Sequence, residues 1–498
     1  MTDSTTSTKT ADPKVGNNFD PVEDTGADEL LSELRAWLGT NWDPDLTVGE
    51  WWERLGLAGW SAPGLPENAF GKSMARADTV LVAQEISKFG ALGAPAGLGL
   101  LLAAPTIATH GTQAQIDSYV RDIVTGQKAW CQLFSEPQAG SDLAGLQTKA
   151  VRDGDEWVIN GQKVWTSGGQ YADLGMLLAR TDPEVPKHAG ISYFAFEMRQ
   201  EGVDVRPLRE MTGHALFNEV FLTDARVADS ALIGGVNNGW AAANTTLMNE
   251  RAGLGSGGGN AAGGDSAPPG TVLGALARRA GDFVEGGSAS GGRRRGKAGS
   301  GNGKAQNGNG KAQNGRIGQG DGGEGGAGAD SGAGSVLSVM RGGPGLLIQM
   351  AQQNGSNKDA GVRQDLARLY TLSELGRFNG LRLKAVKEKG GDIPGMPNVS
   401  KLAMSQIVRL TRDLGLQIMG PSGMLHAYDT DDKASLAQAT GDPFAGGITE
   451  MALFAQAPSI YGGTDQVQRN IIGERVLGLP KEPNNDRVTP FSQLPKNA

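Results

Sequence analysis

Residues 130–150 read WCQLFSEPQAGSDLAGLQTKA, and the texture of the chain changes across them. Upstream, apolar side chains recur every three or four positions, the period of a helix packed on one face. ADELLSELRAWLGTNW (27–42), WWERLGLAGW (51–60) and ADTVLVAQEISKFG (77–90) all read this way. Downstream the period drops to two. DEWVINGQKVWTSG (155–168) alternates about Asn160-Gly161 and is expected to form a hairpin. LGMLLART (174–181), GISYFAFEM (190–198) and EVFLTDARV (219–227) read as further strands. Within 130–150, Pro137 and Gly140 favour a turn that presents backbone N–H groups and the hydroxyls of Ser135 and Ser141. Taken alone, such a cluster marks a surface turn.

Helical period returns at GVRQDLARLYTLSELGRFNGLRLKAVKEKG (361–390), where Val362, Leu366, Leu369, Leu372 and Leu375 make one apolar stripe. VSKLAMSQIVRLTRDLGLQIMG (399–420) reads as a second helix stopped at Gly420-Pro421, and a third begins within GGTDQVQRNIIGERVLGL (462–479). The outline is an α+β chain: a disordered tail over 1–26, a helical domain over 27–125, a β domain over 126–232, a helical domain over 233–480, and a tail over 481–498. Of the 77 glycines, 32 are concentrated between 253 and 344, where NGKAQNG occurs twice in tandem, at 302–308 and 309–315. That composition buries too little apolar surface to offset chain entropy, so a largely disordered insert is expected, with a short helix at TVLGALARRAGDFV (271–284). Arg293, Arg294, Arg295, Lys297, Lys304 and Lys311 form its basic part, which reads as a solvated surface insertion or a dock for an anionic partner.

At 498 residues the chain holds several domains, and its net charge of −8 argues against nucleic acid as the main partner. The single cysteine, Cys131, excludes an internal disulfide framework and fits a cytoplasmic setting. The polar start, MTDSTTSTKTADPKVGNNFD, has no apolar core and is not expected to act as a secretory signal. Residues 89–115 carry no Asp, Glu, Lys or Arg, but Pro95, Pro105 and several glycines interrupt them, so a buried helix pair is expected rather than a membrane span. His110, His188, His214 and His426 are scattered without metal-ligand spacing, so no metal is expected.

Residues 130–150, then NGQKVWTSGGQYADLGMLLART (160–181), NNGWAAANTTLMNER (237–251) and IYGGTDQVQRNIIGERVLGLP (460–480), resemble the acyl-CoA dehydrogenase family, in the family's order. The resemblance implies an N-terminal helical domain, a central β domain and a C-terminal four-helix domain, with FAD as cofactor. It implies that Phe134, Ser135, Trp165, Thr166, Ser167, Gln417, Gly420, Thr464 and Gln466 contact the flavin. Ser141, Arg251, Tyr461 and Gly463 would lie against the substrate. By its residue type alone, Trp165 is equally a core aromatic. The family's reaction needs a carboxylate to take the acyl α-proton while the β-carbon delivers hydride to flavin N5. Many members carry it in a Tyr-Glu-Gly-Thr tetrad, which here reads Tyr461-Gly462-Gly463-Thr464. A subset instead uses a Glu directly before an Arg on an earlier helix, and Glu250-Arg251 supplies that pair. Glu250 is therefore the expected base, and Gly462 keeps the backbone N–H that in the family helps polarise the thioester carbonyl. Taken alone, a Glu-Arg pair is an ordinary solvated helix charge.

Two departures accompany the resemblance. The glycine-rich stretch stands where relatives have an Arg-x-x-Phe-Gly element reaching a neighbouring subunit's flavin pyrophosphate, and Pro421 has no N–H to donate. The resemblance further implies an acyl-CoA substrate, an electron-transfer flavoprotein as acceptor, and a homotetramer or homodimer. A non-catalytic or flavin-sharing subunit of a heteromeric dehydrogenase, or a flavin oxidase on the same fold, also fits these residues.

Overall fold

The computed structural model describes residues 25–255, 276–285, 336–389 and 391–495. Helices α1 (Thr25–Asn41), α2 (Val48–Leu57) and α3 (Arg76–Phe89) enclose a tryptophan-rich core. α2 begins at a reciprocal cap: Thr47 Oγ1 accepts from the Glu50 amide, and the Glu50 carboxylate accepts from the Thr47 amide. Trp51 and Trp52 are fully buried, and their indole N–H groups donate to the Leu92 and Gly93 carbonyls at 2.7 and 2.8 Å.

Residues 89–115 are not the expected helix pair. The chain leaves α3, stays non-helical past Pro95 and the left-handed Gly97, then enters a π turn, Gly99–Ala103, that runs into α4 (Ala104–His110). α5 (Gln113–Gln115) and α6 (Arg121–Val124) complete the N-terminal layer around a second π turn, Ile116–Val120. No helix among the described residues is long and apolar enough to cross a membrane.

The β region is one mixed sheet. Its strands are β1 (Trp130–Leu133), β2 (Lys149–Asp153), β3 (Glu156–Ser167), β4 (Leu174–Arg180), β5 (Ile191–Glu197), β6 (Val203–Leu208), β7 (Phe217–Ala228) and β8 (Leu232–Ile233). They run in the order β6-β7-β3-β2-β4-β5-β8, with β1 parallel to β4. Every residue of β4 is buried, because helices and loops cover both faces of the sheet there. The expected hairpin over 155–168 is absent. β3 continues through Asn160-Gly161 between β2 and β7, and the reversal falls earlier, at Gly154-Asp155. The Asn-Gly pair instead marks a bulge: the β3–β7 register slips between Ile159 and Gly161, and a side chain at 161 would collide with Thr148.

α7 (Gly239–Gly255) packs on α4 and β5, with Thr246 Oγ1 2.8 Å from Thr106 Oγ1. After α8 (Asp282–Glu285) come α9 (Val336–Asn354), α10 (Ala360–Glu388), α11 (Met396–Met419), α12 (Thr430–Thr440), α13 (Ala445–Phe454) and α14 (Asp465–Ile471). On α11, Lys401, Ser405, Val408, Thr411, Leu414, Gly415 and Ile418 are buried at three- and four-residue steps, and Gly415 lets α13 approach through Ile448. The α10 stripe is buried at Val362, Leu366 and Leu369 but surfaces at Leu375, beside exposed Tyr370, Phe378 and Leu381.

The expected insert over 253–344 is shorter at both ends. α7 extends to Gly255, and α9 starts at Val336, with a kink at Gly343 (φ 51°, ψ −145°) before Pro344. Of the helix expected over 271–284, residues 271–275 lie outside the described residues, and among 276–284 the chain is helical only from Asp282, in α8. Ahead of it, residues 276–280 add to the N-terminal domain like a strand: Val48 N–H donates to Arg278 O, Gly49 N–H to Leu276 O, and Ala280 N–H to Leu46 O. Ala280 is buried in the tryptophan core, with Leu276, Phe283 and Val284 packed beside it. The tandem repeat and the basic residues from Arg293 to Lys311 lie outside the described residues, as do 1–24 and 496–498.

Candidate active site

Three elements meet around the Glu250-Arg251 pair. Glu250 lies on the last turns of α7, partly buried, and Gln132 Nε2 of β1 donates to its Oε2 at 3.4 Å. Burial pushes the Glu250 carboxyl above the usual glutamate range, and the Gln132 bond and Arg251 only partly offset it. Burial lowers Arg251, which also feels Arg475 from the π turn Ile472–Val476 after α14. A carboxyl of raised proton affinity beside a cation is suited to taking a proton and returning it. Gln132 and Arg475 were not among the residues expected at the site. Gln132 could have been flagged as the one polar side chain within β1; Arg475 has no such local signal.

The tetrad Tyr461-Gly462-Gly463-Thr464 forms the turn into α14. Gly462 and Gly463 both have left-handed backbone, with φ 63° and 78°. Gln468 Nε2 donates to both carbonyls at 2.8 and 3.3 Å, and Asn398 holds Gln468 in turn at 2.6 Å. A residue other than glycine at 462 would be strained. Burial raises the Tyr461 phenol above its ordinary value. Thr464 uses its hydroxyl to cap α14 through the Val467 amide, and with Gln466, Ser459, Arg409 and Arg469 it borders a cavity of about 290 Å³.

The two β motifs are tied to each other. The Val164 amide donates to Ser135 O at 2.9 Å, placing Phe134 and Ser135 beside Trp165, Thr166 and Ser167. Beneath them, buried Lys163 donates to Phe134 O at 3.1 Å and to Glu136 Oε1 at 2.9 Å, and Glu136 also accepts from the Gln147 and Thr148 amides. Trp165 is not a core aromatic. Its side chain is 61% exposed and its φ is 60°, an uncommon conformation for a bulky residue, so the fold spends strain to present this ring. The neighbouring Thr166 Oγ1 is buried without a hydrogen-bond partner. An exposed indole beside an unmatched hydroxyl and a hydroxyl-bearing loop suits a planar ring with polar edges, as a flavin has.

The remaining expected residues are less closely joined. Ser141 is exposed in the loop after β1. Gln417 and Gly420 are exposed at the C-terminal end of α11, with no hydrogen bond or ion pair to the Glu250 group among the described residues. No cluster that could hold a metal ion occurs among the described residues.

Three family models match in sequence: the acyl-CoA dehydrogenase N-terminal domain over 20–127, the middle domain over 131–225 and the C-terminal domain over 332–477. The chain is 30% identical over 472 residues to the acyl-CoA dehydrogenase IpdE1 of Mycobacterium tuberculosis, covering 91% of this chain and 98% of that one. It is 48% identical over 198 residues to the acyl-CoA dehydrogenase FadE34 of the same organism, a match that spans 40% of this chain and 27% of FadE34. Among solved structures, the ChsE4-ChsE5 complex from Mycobacterium tuberculosis aligns with a TM-score of 0.58 at 25% identity, covering 92% of this chain and 98% of the matched one. With all three domain models matched in order and a full-length relative at this identity, the chain belongs to the acyl-CoA dehydrogenase family.

Proposed function

We propose that the protein catalyses the α,β-dehydrogenation of an acyl-CoA thioester, with Glu250 taking the α-proton. The observation that carries this is the Glu250 carboxyl itself: a base of raised proton affinity, held by Gln132 beside Arg251, in a chain whose tetrad has glycine at 462. Gln132 engages Oε2, so Oε1 receives the proton. The Gly462 N–H donates to the thioester carbonyl and stabilises the charge that develops there as the α-proton leaves. Ser141, Arg251, Tyr461 and Gly463 orient the thioester, and two adjacent glycines leave room for a bulky acyl group. Phe134, Ser135, Trp165, Thr166, Ser167, Thr464 and Gln466 would hold FAD, which when bound would supply the acceptor for the hydride leaving the β-carbon. Gln417 and Gly420, exposed at the end of α11, would contact the flavin from there, and an electron-transfer flavoprotein would carry the electrons onward.

The test is an anaerobic titration of the purified protein with a panel of acyl-CoAs, followed by flavin absorbance. Bleaching by one acyl class, abolished in Glu250→Gln with flavin still bound, is the expected result. Bleaching that survives in Glu250→Gln removes Glu250 as the base.

A second reading is favoured by one observation: Tyr370, Leu375, Phe378 and Leu381 form an exposed apolar row on α10. In this reading a related chain covers that row and completes the pyrophosphate site that the Arg-x-x-Phe-Gly element serves in relatives. A chain that purifies without flavin, and gains it only with such a partner, would replace the first reading with this one.

A further inference from the structure

The last described residues return to the β domain and lie across it. Phe491 N–H donates to Val185 O at 2.9 Å, Ser492 N–H to Pro183 O at 2.8 Å, and Pro490 bridges to Pro186. Two buried cations lie underneath. Lys187 contacts Asp486 of the tail at 2.5 Å, and Arg180 lies under the Phe491 ring at 3.7 Å from its centroid. Each cation also holds the loop that follows β1. Lys187 Nζ donates to both Asp142 carboxylate oxygens at 2.9 and 3.0 Å, and Arg180 donates to Ala144 O at 2.6 Å and Leu146 O at 3.3 Å. A further Arg180 bond, 2.6 Å to Lys187 O, joins the two cations into one bracket.

Both the tail and the loop are therefore held by the same pair of side chains. Undocking the tail exposes Arg180 and Lys187 to water, which weakens their hold on residues 142–146. Those residues directly continue the turn that carries Ser135 and Ser141. We propose that residues 485–494 are a clamp that positions the Ser135–Leu146 loop through Lys187 and Arg180, so that thioester binding depends on a docked tail. The role in thioester binding rests on the acyl-CoA reading above; the coupling of tail to loop does not. Asp486 and Phe491 are positioning residues, since neither belongs to the expected site.

The test uses the full chain carrying Asp486→Asn and Phe491→Ala together, with hydrogen exchange and steady-state kinetics as readouts. Amides of residues 138–146 should exchange about tenfold faster while those of β4 and β5 stay protected, because only the bracketed loop loses its support. KM for the acyl-CoA should rise about tenfold with kcat changed much less, as expected when ground-state positioning is lost. Phe491→Trp in place of Phe491→Ala should restore both, since an indole also stacks on Arg180. Unchanged loop exchange would overturn the clamp. Faster loop exchange with unchanged KM would overturn its role in substrate binding. Wild-type protein that turns over no thioester would instead sink the acyl-CoA reading, while the exchange experiment still tests the clamp.

Discussion

Glu250 serves two opposed ends. Desolvation raises its proton affinity, which suits a base that must hold the abstracted proton, yet a buried carboxylate weakens the fold when ionised. Its folded pKa lies above the unfolded value, so its contribution to stability is full below the unfolded value and is lost as pH rises through the raised one. Glu250→Gln should therefore gain in melting temperature over the wild type at pH 8, with the difference vanishing near pH 4; a wild type that is the more stable at pH 8 would contradict the assignment. Activity should run the opposite way with pH. kcat/KM should climb as Glu250 loses its proton, with its acid limb displaced above the usual glutamate range in a pH–rate profile. The sequence exposed half of this site. Glu250-Arg251 and the glycines at 462 and 463 are legible as residue types at positions, but Gln132 reaches Glu250, and Arg475 acts on Arg251, from segments far away in the chain, and no local pattern encodes that meeting.

At the scale of elements, β3 shows why a strong local signal can mislead. Asn-Gly favours a tight turn, but the partners of β3 on both sides, β2 and β7, supply ladder bonds along nearly its whole length, and the pair is absorbed as a bulge. Helical stripes were easier to read, because a buried face imposes its period whatever the partner. Lys163 sits on the same strand, past the bulge, and joins β3 to the turn after β1 through Glu136. Burial opposes both charges. For Glu136, Lys163 and two backbone amides outweigh it and keep the carboxyl below the usual range, whereas burial dominates for Lys163 and lowers it. The stability Glu136 supplies is thus present above the ordinary carboxylate range and lost as pH falls through its lowered value. Lys163→Met should destabilise the protein by about 3–5 kcal/mol in chemical denaturation, because it strands a buried carboxylate. Adding Glu136→Gln should recover part of that loss, and a fully additive double variant would show that the two do not form a pair.

For the whole molecule, three cores and one sheet were largely legible as an order of textures, while the returns of distant segments onto earlier ones were not. The apolar row on α10 is a matter of assembly. If it is covered in solution, Leu375→Glu with Phe378→Glu should lower the mass seen in light scattering of the eluting protein, while the wild type runs as an oligomer; equal masses would leave the row without an occupant. The segment docked on α2 has a temporal consequence. The amino-terminal core contains Ala280, with Leu276 and Phe283 against it, so it is unfinished when its own residues leave the ribosome. Until about residue 285 has emerged from the exit tunnel, the nascent chain carries an open tryptophan cluster, and synthesis of the β sheet proceeds beside it. The order of translation thus leaves this protein's first domain waiting for a piece made after its second.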